Sequence, residues 1–156
     1  MKSITFLVTI ILSVISFSSL AQDATTLRRK QFNLEKDVAI DGYDPVAYFK
    51  LNKAVKGRKD LIINNEGVYY YFSTPENKGE FKKNPSKYEP EYGGWCAYAM
   101  GSKGEKVSID PETFKIVGGK LYLFYNSFFN NTLKSWNKDE INLKANADLN
   151  WKKTFH

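Results

Sequence analysis

Two aromatic-rich runs constrain this chain most. Leu61-Ile62-Ile63 and Val68-Tyr69-Tyr70-Tyr71-Phe72 are separated by Asn64-Asn65-Glu66-Gly67, and Lys115-Ile116-Val117 and Leu121-Tyr122-Leu123-Phe124-Tyr125 are separated by Gly118-Gly119. β-branched and aromatic side chains on both sides of a short Asn/Gly turn are the composition of a β-hairpin. Side chains alternate along a strand, so Val68, Tyr70 and Phe72 share one face and Tyr69 and Tyr71 the other. Two such hairpins commit much of the apolar material to paired strands.

Between and around them the cues are helical. Asp44-Pro45 is a helix start: the carboxylate caps free N–H groups and proline suits the first helical position. Asp41 and Asp44 are accordingly read first as turn and cap residues. Ser73-Thr74-Pro75-Glu76 repeats the start signal for a helix running to Lys83. Val107-Ser108-Ile109 reads as a further strand, turned by Asp110-Pro111-Glu112 into the second hairpin. Asn126 is expected to cap a helix in which Phe129, Leu133 and Trp136 share a face. A last helix begins near Lys138, with Ile141, Ala145 and Leu149 on one stripe and Leu143, Ala147 and Trp151 on the next. Both stripes are expected in the core. The sum is an α+β fold: a small antiparallel sheet of hairpins, short helices and a helical C-terminus.

The segment Tyr88–Met100 joins the two hairpins and gathers the rare residues: the single cysteine, one of two methionines and one of three tryptophans. Trp95 to Met100 reads as a short helix capped by Gly101, with Cys96 in its first turn. Unpaired N–H groups there favour a thiolate, whereas cysteine is also among the residues most often simply buried. Cys96 and Met100, four apart, would share one helical face. A thiolate and a thioether suit Cu(I), and a thiolate with oxygen ligands suits other ions, zinc among them. Tyr43, Asp44, Trp95 and Tyr98 are the candidate lining of a ligand cleft nearby.

Bulk properties narrow the function. Lys2, the apolar run from Ile4 to Phe17 and the small residues up to Ala21 have the three parts of a signal peptide, so residues 1–21 are expected to be removed on export to the periplasm or beyond. The run is short for a membrane span and is broken by Thr5, Thr9, Ser13 and Ser16. Residues 22–38 then form an N-terminal arm, polar and basic, either loosely held or a short helix. Residues 39–156 are one domain.

The net charge of +6 comes largely from scattered lysines. Scattered charge reads as a solvated surface, with an anionic partner such as a lipid surface as the alternative. Arg28-Arg29-Lys30 is too short a cluster to argue nucleic acid. One cysteine excludes an intramolecular disulfide. One histidine, His156, leaves no Cys-His or Ser-His-Asp arrangement and no four-ligand zinc site within a single chain. A homodimer would bring two Cys96 residues together.

Three blocks carry a resemblance: Ala39-Ile40-Asp41-Gly42-Tyr43-Asp44-Pro45-Val46-Ala47-Tyr48-Phe49, Tyr69 through Phe81, and Tyr92 through Met100. From Ala39 to Trp151 the chain resembles exported bacterial YHS-domain proteins of the wider YHS and TRASH group. The resemblance implies a treble-clef-like core and heavy-metal handling, with copper the leading ion. Metal-binding members carry Asp-Pro-Val-Cys and a cysteine after the Tyr-Tyr-Phe strand; here Ala47 and Ser73 hold those places. The expected function is an exported metal-binding or metal-stress module centred on Cys96, with Met100 as helper. The alternative is a non-catalytic module that holds a small ligand or a protein in an aromatic cleft, with the cysteine structural. Thiol-dependent catalysis lacks a visible base.

Overall fold

A computed structural model describes residues 24–154. The expected leader and His156 lie outside them. The fold is α+β.

Residues 24–31 form helix α1. Strands β1 (Leu34–Glu35) and β2 (Val38–Ala39) follow, then α2 (Pro45–Leu51), β3 (Arg58–Asn65), β4 (Val68–Phe72), α3 (Pro75–Lys83) and α4 (Pro85–Tyr88). The second half has α5 (Ala97–Lys103), β5 (Asp110–Val117), β6 (Lys120–Phe124), β7 (Asn126–Ser127), β8 (Asn130–Asn131), α6 (Thr132–Trp136) and α7 (Glu140–Lys153). The first sheet runs β1-β2-β4-β3, and its β2–β4 pair is parallel. It is therefore mixed rather than wholly antiparallel. Strands β5 and β6, and β7 and β8, pair as antiparallel hairpins. Among the described residues no helix is long and apolar enough to cross a membrane.

Strand β6 divides the interior. Leu121 and Leu123 enter a first core with Val68, Tyr70, Phe72 and Phe81, while Tyr122 and Phe124 enter a second with Met100, Trp136 and Ala147. Period-two alternation on a strand buried on both faces lets one element serve two cores. In the first core Phe81 packs on Tyr70 and Phe72, with ring centroids 4.8 and 5.2 Å away. In the second, Trp136 lies 5.8 Å from Tyr122 and 5.5 Å from Phe124.

The arm belongs to this structure over its described part. Arg28 pairs with Glu89, Phe32 packs edge-on to Trp151, and the Asn33 N–H donates to the Gly93 carbonyl at 2.9 Å. Of the two readings of the arm, the short helix is the one seen, and it is docked.

Three local expectations fail. Residues 107–109 form no strand; β5 begins at Asp110 with a register shift before Phe114. The Asp110 carboxylate accepts the Glu112 N–H at 3.1 Å and the Thr113 hydroxyl at 2.7 Å, turning the expected turn into a bulge within one strand. Asn126 starts no helix. It begins the β7–β8 hairpin, and Asn131 caps α6 by accepting the Leu133 N–H. Phe129 therefore sits in a turn with Phe128, not on a helical face. On α7 only the Leu143–Ala147–Trp151 stripe meets the core; Ile141 is 84% and Leu149 58% exposed.

Candidate functional site

The approach to Cys96 is set by a tight turn. Residues Glu91–Gly94 form a 3-10 turn in which Tyr92, Gly93 and Gly94 are left-handed, with φ of 55, 60 and 84°. At Gly93 a Cβ would stand 2.8 Å from the Trp151 ring, so this turn requires glycine on both counts. It delivers Cys96 to the N-cap of α5, one position before the first turn expected for it. The helix also runs past Gly101 to a left-handed cap at Gly104. Gly101 serves packing instead. A Cβ there would lie 2.3 Å from the Leu143 carbonyl oxygen, so its absence lets α5 and α7 touch backbone to backbone.

The Cys96 side chain is fully buried. The Tyr125 N–H donates to its sulfur at 3.3 Å, and the Thr132 hydroxyl oxygen lies 3.4 Å away. That hydroxyl donates its own proton to the Tyr125 carbonyl at 2.7 Å. Its oxygen is thereby left to accept from the thiol. Sulfur, hydroxyl and the Tyr125 peptide close a ring in which the thiol is both donor and acceptor. The ring ties the end of β6 to the start of α6 across the N-terminus of α5.

Above this ring is a cleft of about 300 Å³, whose walls include Tyr98, Ser102, Lys103, Tyr125, Asn130 and Thr132. Cys96 and Glu105 also border it. Its size is at the lower end of small-molecule sites. Tyr98 and Tyr125 are half-buried and supply aromatic surface; Ser102, Asn130 and Thr132 supply hydrogen-bonding groups. Lys103 and Glu105 place opposite charges there.

The other expected site residues lie elsewhere. Met100 is buried in the second core with Ala97, Tyr122 and Trp136 and does not border the cleft. Trp95 docks the arm by donating its indole N–H to the Gln31 carbonyl at 2.6 Å. Tyr43 lies apart from the cleft: its ring carries the ammonium of Lys56 at 4.5 Å, and Lys56 borders a different hollow. That hollow is bordered by Lys36, Asp41, Lys56, Lys59 and Tyr71. Asp41 is exposed as a residue, but partial desolvation of its carboxyl, then repulsion from Glu35, raises it above the ordinary range.

Asp44 is enclosed in the first half of the molecule. One carboxylate oxygen accepts the Val46 and Ala47 N–H groups at 2.9 and 3.3 Å. The other accepts the Ser73 N–H at 2.8 Å, the Ser73 hydroxyl at 2.6 Å and the Asn77 amide at 2.7 Å. Ala47 and Ser73 are the positions where the resemblance places cysteines. Both are here neighbours of a buried carboxylate satisfied by hydrogen bonds.

Among the described residues no group of three or more His, Cys, Asp or Glu side chains is placed to hold an ion. Of the expected cleft residues, Tyr98 borders the cleft beside Cys96, the expected metal ligand, and Tyr43, Asp44 and Trp95 do not join them. Sequence reasoning missed Ser102 and, well after Cys96 in the chain, Tyr125, Asn130 and Thr132, which carry no motif that ties them to it.

No protein-family model matches the chain, and neither does any curated protein or solved structure.

Proposed function

We propose that the chain is an exported YHS-like binding module that holds a small organic ligand in the cleft over Cys96, without catalysis. The carrying observation is the hydrogen-bonded ring beneath the cleft: the thiol's donor and acceptor capacities are both used, which suits a structural floor. The walls suit a ligand with a flat face for Tyr98 and Tyr125 and a polar edge for Ser102, Asn130 and Thr132. The opposed charges of Lys103 and Glu105 favour a neutral or zwitterionic molecule over a strongly charged one. Export follows from the leader, and the mature protein should begin at Gln22 when its N-terminus is sequenced.

The test is an amide NMR titration of residues 22–156 with a panel of small aromatic and zwitterionic fragments. Shifts should cluster at Ser102, Tyr125, Asn130 and Thr132 and disappear in Tyr98→Ala. Fragment binding that avoids these amides, or none at all, overturns the cleft reading.

A second reading rests on the thiol bordering a cleft that Tyr98 and Glu105, both oxygen-bearing, also border. A soft ion such as Cu(I) would be held there by Cys96, with the hydrogen-bonded ring opening to free the sulfur. Cys96 has no exposed surface, so a disulfide between two chains would require the same opening.

A further inference from the structure

The β7–β8 hairpin ends in Phe128-Phe129, and both side chains are fully exposed, at 100 and 105% of their reference areas. Two-residue hairpin turns favour glycine and asparagine, yet Phe128 holds a positive φ of 44°. Neither ring is among the ring contacts of the described residues, and neither joins either core. The pair projects beside the cleft that Asn130 of β8 helps to line.

The surroundings are basic. From Thr113 to Lys138 the sequence has four lysines and no acid. Lys115 and Lys120 are engaged by Glu140 and Glu91. Lys134 and Lys138, both exposed, make no salt bridge among the described residues. Lys103 borders the same cleft as the hairpin's Asn130. Acids are also near: Asp110 accepts from Asn126 at the hairpin's base, Glu105 borders the cleft, and the exposed Asp139 directly follows Lys138. Among the described residues, Lys134 and Lys138 are the unpaired cations nearest the hairpin in sequence, in a chain of net charge +6.

From this we infer that the hairpin tip inserts into an anionic lipid surface, with Phe128 and Phe129 entering the interface and Lys134 and Lys138 meeting the headgroups. Aromatic side chains favour the membrane interface, and basic residues beside them add electrostatic attraction to anionic lipid. The area favours this occupant over a protein. Two phenylalanines offer on the order of 300–500 Å², against roughly 800 Å² per partner in a standard protein interface. A narrow convex tip fits a fluid layer, which needs no matching surface. The module would thus present its cleft close to the bilayer.

The experiment is vesicle co-sedimentation of residues 22–156, which contain the described fold and exclude the apolar leader. Vesicles of roughly one-third phosphatidylglycerol in phosphatidylcholine are compared with phosphatidylcholine alone. The chain should bind the anionic vesicles more strongly, and added salt should weaken that binding. Replacing both phenylalanines (Phe128→Ser with Phe129→Ser) should lower partitioning about tenfold or more without changing the far-UV spectrum. Lys134→Gln with Lys138→Gln should weaken binding less and reduce its salt dependence. Phe128→Gly separates folding from docking: it should ease the turn while losing part of the vesicle affinity. Failure of the unaltered chain to sediment with anionic vesicles overturns the proposal, as does undiminished binding by the double phenylalanine variant. Concentration-dependent self-association that disappears in that variant, without vesicle binding, would assign the tip to a second copy and overturn it too.

Discussion

Asp44 and Cys96 make a natural pair. Each stands immediately before a short helix, each is completely buried, and each is polar. Asp44 caps α2 in the ordinary way and gathers three further hydrogen bonds from Ser73 and Asn77. Cys96 caps nothing; its sulfur instead bridges Tyr125 and Thr132. A buried charge is tolerable only when surrounded by donors, so Asp44 fixes the first half rigidly. A buried thiol asks for little and can border a cavity. The difference places structural obligation at Asp44 and leaves room for binding at Cys96.

Removing the Asp44 carboxylate should have the largest effect. Asp44→Ala strands the Val46 N–H, the Ser73 N–H and hydroxyl and the Asn77 amide, and leaves Ala47 only its bond to the Asp44 carbonyl; it should destabilise the fold by about 4 kcal/mol in urea unfolding. A loss below roughly 1 kcal/mol would erase the contrast between the two residues. Next is the packing that seats the cleft. Gly101→Ala drives a methyl group into the Leu143 carbonyl and should cost about 2–3 kcal/mol, read by the same unfolding curves.

Cys96→Ala breaks the ring and leaves the Tyr125 N–H unsatisfied, for about 1–2 kcal/mol. Cys96→Ser retains a donor and an acceptor and should cost less. The reverse order would mean that the sulfur acts as an apolar group, where a buried hydroxyl is the costlier replacement. Phe128→Gly should change the sign, stabilising by up to about 1 kcal/mol through relief of the positive φ, seen as a higher melting temperature.

The smallest effect concerns Asp41, three residues before Asp44. Partial desolvation of its carboxyl raises its folded pKa, so its contribution favours folding below the ordinary carboxyl range and is lost as pH rises through the raised value. Asp41→Asn should remove that loss and make stability less pH-dependent across the acidic range. An unchanged pH profile would show that the carboxyl is as well hydrated folded as unfolded.

What the sequence discloses follows the range of the interactions. Asp44-Pro45 announces its helix because a cap is made with residues two and three positions on. The β3–β4 hairpin is legible for the same reason, and the alternation of Val68, Tyr70 and Phe72 matches their burial. The ring around Cys96 depends on residues 29 and 36 positions away, which no local pattern marks. Helical periodicity finds two stripes on α7 but cannot say which one meets α5; Gly101 decides that through its contact with Leu143. The β7–β8 hairpin is hidden because phenylalanine occupies turn positions where glycine or asparagine would advertise one. Its departure from turn chemistry is also what draws attention to its surface.

The most direct test of Cys96 as a structural thiol is a Cu(I) titration of residues 22–156 followed by native mass spectrometry with a competing chelator. The structural reading predicts that the chain stays at its metal-free mass, with Cys96→Ser indistinguishable from the unaltered protein. A one-to-one Cu(I) complex that survives the chelator and is lost in Cys96→Ser would contradict it and return the site to metal handling.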